Sequence, residues 1–211
     1  MHIIIFGSSI TWGAWDEEGG WAQRVKSFAD KKAALSNYND DYNTVYCLGV
    51  SGDNTENLLQ RYEFELKARI GENEKTLVLI EIGINDSQYI LATKQHRVSN
   101  EKFKENLIKL SRITKSYDAE LVFLGLTPVD VRVDPIPWKK TASYRMDFIE
   151  TYNSLVKSVC KELDIPFIEL IGKFDKRSYP ELLTDGLHPS TSGHKIIFEE
   201  VKSYLESKNL F

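Results

Sequence analysis

Five short apolar segments alternate with longer segments of helical periodicity, and this alternation is the feature that most constrains the fold. Segment 76–82, TLVLIEI, is almost entirely apolar, as expected for a central strand that is covered on both faces. The predicted strands are 2–6, 44–48, 76–82, 120–126 and 166–170, and the predicted helices are 21–35, 54–70, 99–117, 143–163 and 190–207. Such alternation is typical of a parallel sheet with helices packed on both faces. We therefore predict an α/β fold in a single domain that spans residues 1–211.

Composition and charge are those of an ordinary globular protein. Of the 211 residues, 42% are hydrophobic and 27% are charged, and the formal net charge is −4. This charge provides no basic surface for nucleic acid, and no apolar segment approaches the roughly 20 residues that a membrane helix requires. The amino terminus lacks the features of a secretory signal. We therefore expect a cytoplasmic protein with neither a nucleic-acid nor a membrane partner, and we expect Cys47 and Cys160 to be buried free thiols.

Polar turns follow the first three predicted strands. GSS (7–9) follows the first strand, GVSGDN (49–54) the second and GIND (83–86) the third, and a fourth motif, DGLHP (185–189), precedes the last predicted helix. In open parallel sheets, ligands bind at the carboxyl ends of the strands. We therefore expect these segments to lie at one edge of the sheet and to form the functional site.

The residue types in these four segments fit acyl transfer. A serine hydroxyl such as that of Ser9 is a poor nucleophile until a base removes its proton, and histidine is the usual base near neutral pH. His188 is the candidate base, and Asp185, three residues before it, is spaced to hold the imidazole in one tautomer. The tetrahedral intermediate also needs hydrogen-bond donors for its oxyanion. The backbone N–H groups of Ser9 and Gly52 and the side-chain amide of Asn85 are the candidate donors.

Each of these residues also has a structural interpretation when it is considered alone. Gly52 fits a turn with positive φ, Asn85 fits a turn and helix cap, His188 fits a loop, and Asp185 before a glycine fits a turn. Asp185 and His188 are too few ligands for a metal site, and we predict neither a metal nor a cofactor. The first glycine turn lacks the lysine of a P-loop and the spacing of a dinucleotide-binding motif, which disfavours a nucleotide-binding protein.

Together, the four motifs resemble those of the SGNH (GDSL-type) hydrolases, in the same order and over residues 3–194. In this resemblance Ser9 stands at the nucleophile position, Gly52 and Asn85 at the oxyanion positions, and Asp185 and His188 in the Asp-x-x-His motif. The resemblance implies a flavodoxin-like three-layer α/β/α sandwich with a five-stranded parallel sheet. It also implies metal-independent serine esterase chemistry on a small-molecule ester.

One position departs from the family pattern. The first motif of the family usually reads Gly-Asp-Ser, and in this chain Ser8 replaces the aspartate. That aspartate is not the acid of the triad, so the triad remains complete. The change removes a carboxylate that can hydrogen-bond within the turn, and it makes Ser8 a rival nucleophile or a substrate-binding residue.

Residues outside the motifs suggest where the substrate binds. Trp12, Trp15 and Trp138 are candidates for lining the substrate pocket, with core packing as the alternative. Segment 129–144 is longer than a plain connection requires and is interpreted as a lid or specificity loop. Basic residues in and next to this segment fit either an anionic substrate or, more simply, a solvated surface. They are Arg132, Lys139, Lys140 and Arg145.

The function predicted from these features is hydrolysis of carboxylic esters with a short acyl or acetyl group, including esters linked to carbohydrate. A thioester or a lysophospholipid is an alternative substrate for the same chemistry, although segment 129–144 is less apolar than a lid for long chains requires. A further alternative is a catalytically weakened module that binds acylated sugars. Retention of Ser9, Asn85, Asp185 and His188 argues against that alternative.

Overall fold

The computed structural model describes residues 1–36, 42–71, 73–174 and 179–210. The sequence predicts loops at 36–42 and 171–184, and parts of both lie outside the described residues. In chain order, the strands are β1 (His2–Gly7), β2 (Thr44–Gly49), β3 (Thr76–Glu81), β4 (Tyr89–Ile90), β5 (Gln95–His96), β6 (Glu120–Leu124), β7 (Ala142–Ser143) and β8 (Phe167–Ile168). The helices are α1 (Ser9–Trp12), α2 (Gly20–Leu35), α3 (Thr55–Lys67), α4 (Asn100–Ser116), α5 (Met146–Leu163) and α6 (Thr191–Ser207).

Five strands form one parallel sheet in the order β2-β1-β3-β6-β8. This is the strand order of flavodoxin-like folds, in which the chain places one strand beside β1 on one side and then builds the sheet outward on the other. All six residues of β3 are buried, which agrees with the uninterrupted apolar sequence expected of a central parallel strand. The predicted α/β class with a five-stranded parallel sheet is therefore confirmed.

Helices cover both faces of this sheet. α2 packs against α6, and α4 packs against both α3 and α5. The buried face of α4 carries Phe103, Leu107 and Leu110 at helical spacing. Asn54 caps α3 in a capping box and Ser99 caps α4 through its side chain, so both helices begin where the sequence predicts.

Some element ends differ from the prediction. β6 ends at Leu124 rather than at residue 126, and β8 has only two residues, because the ladder between these strands joins only two pairs of residues. α5 begins at Met146 rather than at residue 143, because Ala142–Ser143 forms a strand and pairs with β4. The cysteine prediction was half wrong: Cys160 is a buried free thiol, but Cys47 is exposed because β2 lies at an edge of the sheet.

A second, antiparallel sheet in the order β5-β4-β7 was not predicted. Each of its strands has two residues, which is too short to leave a periodic pattern in the sequence. In chain order, β4 and β5 come between the third and fourth strands of the main sheet, and β7 comes between the fourth and fifth, so the small sheet joins segment 89–96 to the end of segment 129–144. Among the residues that the structure describes, no helix has the length and apolar character needed to cross a membrane.

Candidate active site

The carboxyl ends of β1, β2 and β3 lie level with one another, because Gly7 at the end of β1 pairs with the last residues of both neighbouring strands. β1 is also the strand from which the sheet is built in two directions, and ligands bind at such switch points in open α/β sheets. Ser9 follows β1, Gly52 follows β2 and Asn85 follows β3, each within four residues of the strand end. The structure therefore places the three predicted turns at one edge of the sheet.

The turn after β1 is tight enough to require Gly7. A Cβ atom at Gly7 would lie 2.0 Å from Thr11 Oγ1 and 2.5 Å from the carbonyl oxygen of Glu81, and no real side chain approaches so closely. Only Ser8 separates the end of β1 from the short helix α1, whose first residue is Ser9. Its backbone N–H is then one of those that have no acceptor within the helix.

Ser9, His188 and Asp185 form one hydrogen-bonded row. Ser9 Oγ lies 2.9 Å from His188 Nε2, and His188 Nδ1 lies 2.8 Å from Asp185 Oδ2. Asp185 Oδ1 accepts the backbone N–H groups of Leu187 and His188 at 3.0 and 2.9 Å, which folds the carboxylate back onto the ring. The distances between Ser9, the base and the carboxylate are those found in serine hydrolases.

The electrostatics of the row fix the tautomer of His188. Partial burial raises the pKa of Asp185, but the hydrogen bonds from the His188 ring and from two backbone N–H groups outweigh it and hold the pKa well below its ordinary value. An ionised carboxylate can only accept, so the His188 proton lies on Nδ1 and the lone pair of Nε2 faces Ser9 Oγ. This is the arrangement that allows the imidazole to take the serine proton.

Trp15 makes a contact with the row that the sequence did not reveal. Its Nε1 lies 3.0 Å from Asp185 Oδ2 and 3.1 Å from His188 Nδ1. Because Nδ1 carries a proton, the indole N–H donates to the carboxylate. The indole stands edge-on to the imidazole, with ring centroids 5.9 Å apart, and 62% of Trp15 is exposed to solvent. The exposed part of this ring therefore lies beside the candidate base.

The geometry around Gly52 and Asn85 is compatible with their predicted role as hydrogen-bond donors to an oxyanion. Gly52 has φ +85°, and a Cβ atom there would meet no other atom within 4 Å, so the space beside it is open. Asn85 Nδ2 donates one hydrogen to the carbonyl oxygen of Asp53 at 2.9 Å, and a carboxamide nitrogen carries a second hydrogen. Together with the N–H of Ser9, these groups provide three candidate donors at the strand ends.

A family model described as "GDSL-like Lipase/Acylhydrolase family" matches residues 5–196. The chain belongs to this GDSL family. It is therefore a serine hydrolase that acts on ester bonds, and the resemblance drawn from its four motifs is confirmed.

Curated relatives of this GDSL chain are named as esterases. A GDSL esterase/lipase of Oryza sativa subsp. japonica is 26% identical over 216 residues, which cover 97% of the chain and 77% of the relative. An isoamyl acetate-hydrolyzing esterase of Schizosaccharomyces pombe is 27% identical over 205 residues, which cover 95% of the chain and 73% of the relative.

Solved structures confirm the fold. An acetyl xylan esterase is similar with a TM-score of 0.74 and 18% identity, over 97% of the chain and 100% of the neighbour. A lipase/acylhydrolase from Enterococcus faecalis is similar with a TM-score of 0.71 and 21% identity, over 98% and 96% of the two chains.

The remaining predicted site residues of the GDSL chain stand apart from the row. Ser8 is 2% exposed, and the serine that contacts His188 is Ser9. Trp12 and Trp138 are 60% and 57% exposed, and no hydrogen bond or ring contact joins either of them to the row within the described part of the chain. Their role in substrate binding stays a prediction.

Arginines hold the loops of the site, and sequence reasoning gave them no such role. Arg61 donates to Asp53 Oδ2 and to the carbonyl oxygen of Leu48, both at 2.9 Å, and so fixes the turn that contains Gly52. Arg97 donates to the carbonyl oxygen of Gly52 at 3.0 Å. No motif marks either residue, because both act on backbone and loop atoms distant in sequence.

Arg132 is exposed, as the predicted solvated surface requires, and it also makes contacts that the sequence did not predict. It pairs with Asp130 at 2.7 Å and donates to the carbonyl oxygens of Pro180 and Leu183 at 2.9 Å. These contacts hold the segment that leads to Asp185. Lys139 and Lys140 are exposed as well.

Proposed function

We propose that this GDSL hydrolase cleaves esters of small carboxylic acids through a covalent acyl-enzyme, with Ser9 as nucleophile, His188 as general base and acid, and Asp185 as the residue that orients His188. The backbone N–H groups of Ser9 and Gly52 and the Asn85 amide bind the oxyanion. The observation that carries the proposal is the continuous row from Ser9 Oγ through both ring nitrogens of His188 to Asp185.

In the first half of the reaction, Ser9 Oγ attacks the carbonyl carbon while its proton moves to His188 Nε2. The carbonyl oxygen takes up the negative charge of the tetrahedral intermediate. Three donors at the strand ends meet this charge, and each such donor typically lowers the barrier by about 3 kcal/mol. The intermediate collapses when His188 gives its proton to the leaving alcohol, which leaves the acyl group on Ser9.

In the second half, His188 removes a proton from water, and the resulting hydroxide attacks the acyl carbon. The second tetrahedral intermediate uses the same oxyanion donors. It collapses as His188 Nε2 returns the proton to Ser9 Oγ, so the carboxylic acid leaves and the row is restored. Asp185 stays ionised throughout and stabilises the imidazolium that forms twice in each cycle.

Burial around Ser9 supports a small acyl group. Ser9 and His188 are 7% and 8% exposed, so little of either side chain faces open solvent. The exposed indole of Trp15 stands edge-on to the His188 ring and offers an apolar surface next to the base. The relative named as an isoamyl acetate-hydrolyzing esterase and the neighbour named as an acetyl xylan esterase are both named for acetate esters, which supports the same acyl size here.

Hydrolysis of p-nitrophenyl esters from acetate to octanoate tests the proposal with wild type and Ser9→Ala. We expect kcat/KM to fall with acyl length, and we expect Ser9→Ala to lose activity by about 10⁴-fold or more on every ester. Ser111→Ala is the matched control, because the Ser111 hydroxyl donates to the carbonyl oxygen of Leu107 within its own helix.

Three results would contradict the proposal in different ways. Full activity of Ser9→Ala would remove Ser9 as the nucleophile. A rate that rises toward octanoate, or a preference for thioesters or lysophospholipids over acetate esters, would leave the chemistry intact but overturn the proposed substrate class. Inactivity of the folded wild type on all of these substrates would favour a binding module.

A further inference from the structure

Under the proposed function, on which this inference rests, Asn85 contributes only if its amide nitrogen faces the oxyanion. A carboxamide rotates between two orientations of nearly the same shape, which exchange its oxygen and its nitrogen. With the oxygen turned toward the oxyanion, the contact would be repulsive. The site therefore needs neighbours that hold the amide in one orientation.

Two hydrogen bonds set the orientation of Asn85. The contact with the carbonyl oxygen of Asp53, at 2.9 Å, must be made by the amide nitrogen, because a carbonyl oxygen can only accept. Asn85 Oδ1 then requires a donor, and the hydroxyl of Tyr144 provides one at 2.6 Å. The amide is thus held from both of its ends.

Gln88 directs the hydroxyl of Tyr144. Gln88 Nε2 donates to Tyr144 Oη at 2.9 Å, so the tyrosine proton is left to face Asn85. Asn85, Gln88 and Tyr144 are 6%, 5% and 3% exposed. Burial raises the pKa of Tyr144 to about 12, which keeps the hydroxyl protonated. Because the carbonyl oxygen of Asp53 fixes the orientation of the Asn85 amide, the donors run in one direction, from Gln88 through Tyr144 to Asn85. Gln88 Oε1 has no hydrogen-bond partner among the described residues.

The second sheet brings Gln88 and Tyr144 together. β4 and β7 are antiparallel, and Tyr89 lies opposite Ser143. Gln88 precedes Tyr89 and Tyr144 follows Ser143, so the two form the next pair across these strands. The N–H of Tyr144 also donates to the carbonyl oxygen of Val133 at 3.0 Å. The sequence interprets segment 129–144 as a lid or specificity loop. In the structure, its last residue, Tyr144, packs against the site through Asn85.

We propose that Tyr144 is a positioning residue of the oxyanion hole, which holds the Asn85 amide with its nitrogen toward the reacting carbonyl. Tyr144 does not touch the substrate and acts through Asn85. The small sheet of β4 and β7 is then a support for catalysis, because it places Gln88 and Tyr144 side by side. Replacement by phenylalanine keeps the ring, removes the hydroxyl and releases one end of the Asn85 amide.

A double-mutant cycle on p-nitrophenyl acetate tests this proposal with wild type, Tyr144→Phe, Asn85→Ala and the double variant. Rates are expressed per active site, counted by titration with a fluorophosphonate. Tyr62→Phe is the matched control, because Tyr62 is also wholly buried and its hydroxyl bonds to Thr114 between α3 and α4. A trifluoromethyl ketone, which forms a tetrahedral oxyanion on the serine, reports on the oxyanion hole separately from substrate binding.

We expect Asn85→Ala to lower kcat by about 100-fold and Tyr144→Phe by about tenfold, with KM changed less than about twofold. In the Asn85→Ala background, Tyr144→Phe should cost less than about twofold, because the group that it positions is gone. The affinity for the ketone should fall by about tenfold in Tyr144→Phe, while Tyr62→Phe leaves kcat, KM and this affinity unchanged.

Equal losses from Tyr144→Phe in both backgrounds, or a change in KM alone, would overturn the positioning role while the proposed function stands. Full activity of Asn85→Ala would overturn the proposed oxyanion role and the positioning role together. If Tyr144→Phe does not fold, Gln88→Met takes its place in the cycle. Its expected loss is about threefold and disappears without Asn85, and a loss that persists there would overturn the proposal.

Discussion

The hydroxyl of Thr11 donates a hydrogen bond of 2.8 Å to Glu81 Oε2, which joins the helix that carries Ser9 to the end of the central strand β3. Glu81 is wholly buried, and burial raises the pKa of its carboxyl group to about 8 against the opposing effect of the Thr11 hydroxyl. Burial also raises the pKa of Asp86 to about 7, although hydrogen bonds from Thr55 oppose the shift. Two carboxyl groups next to the candidate site are therefore held largely uncharged below neutral pH.

Replacement of Glu81 by glutamine should change how stability depends on pH. An unfolded chain ionises this carboxyl group near 4.5, whereas the folded protein ionises it near 8. Between these values the unfolded state binds fewer protons, so the stabilisation is fully present below about pH 4.5 and is lost as pH rises toward 8. Glu81→Gln cannot ionise, and we expect it to gain on the order of 2–4 kcal/mol relative to wild type between pH 4.5 and pH 8.5.

Urea denaturation at the two pH values measures this difference. Glu150→Gln is the control, because Glu150 is exposed. Asp86 remains in both proteins, so the free energy of unfolding of Glu81→Gln should still fall as pH rises. Its fall should be smaller than that of wild type. Parallel stability profiles for wild type and Glu81→Gln across this range would show that burial does not suppress the ionisation of Glu81.

Asp185→Asn should remove the tautomer control of His188. An asparagine amide can donate to Nδ1, which favours a proton on Nε2 and leaves no lone pair to face Ser9 Oγ. We expect kcat on p-nitrophenyl acetate to fall by about 10³–10⁴-fold with little change in KM, as for the same change in other serine hydrolases. Asp147→Asn provides the comparison, because Asp147 pairs with Arg145 at the start of α5. A loss below tenfold in Asp185→Asn would argue that another group orients His188.

Gly52→Ala tests the effect of backbone strain at this position without any added steric clash. The added methyl group would meet no atom within 4 Å, so only the φ of +85° opposes it. We expect a loss of about 1–2 kcal/mol in the free energy of unfolding, which lowers Tm by roughly 2–8 °C in a chain of this size. If the Gly52 N–H binds the oxyanion, kcat should fall by at least about tenfold, since the backbone shift moves this donor. Unchanged kcat alongside the expected loss of Tm would contradict the expected displacement of this donor.

Trp15 is expected to act in two separable ways. Trp15→Phe keeps an aromatic ring but loses the N–H that contacts Asp185, so kcat should fall by about two- to fivefold with KM unchanged. Trp15→Ala also removes the exposed apolar face, so KM for esters of bulky alcohols should rise by about fivefold or more. The two variants are compared on ethyl acetate and on an aryl acetate. A pair of variants with identical kinetics would show that the ring has no contact with the alcohol.

The sequence predicted those features of the fold and the site that depend on a single local pattern. The apolar run of β3 predicts a strand covered on both faces, and that strand is wholly buried. Glycine turns after three strands predict one shared edge, because parallel strands end on the same side. Asp185 and His188 are three residues apart, so their contact depends on a single turn, and the structure closes it at 2.8 Å.

The sequence could not reveal contacts that depend on two distant segments at once. Tyr144 meets Asn85 only because two-residue strands pair β4 with β7, and such strands leave no periodic pattern. Arg61 binds carbonyl oxygens at strand ends, and no residue type marks a backbone acceptor. Trp15 was noted as an aromatic candidate, but its N–H bond to Asp185 spans 170 positions of the chain.

The most direct test of the central claim is to locate the covalent adduct that a fluorophosphonate forms with the protein. Peptide fragmentation by mass spectrometry distinguishes Ser9 from the adjacent Ser8. The row from Ser9 to Asp185 predicts one adduct per chain on Ser9 Oγ, retained in Ser8→Ala and absent from Ser9→Ala and His188→Ala. An adduct on Ser8, or no adduct on the folded wild type, would contradict the account.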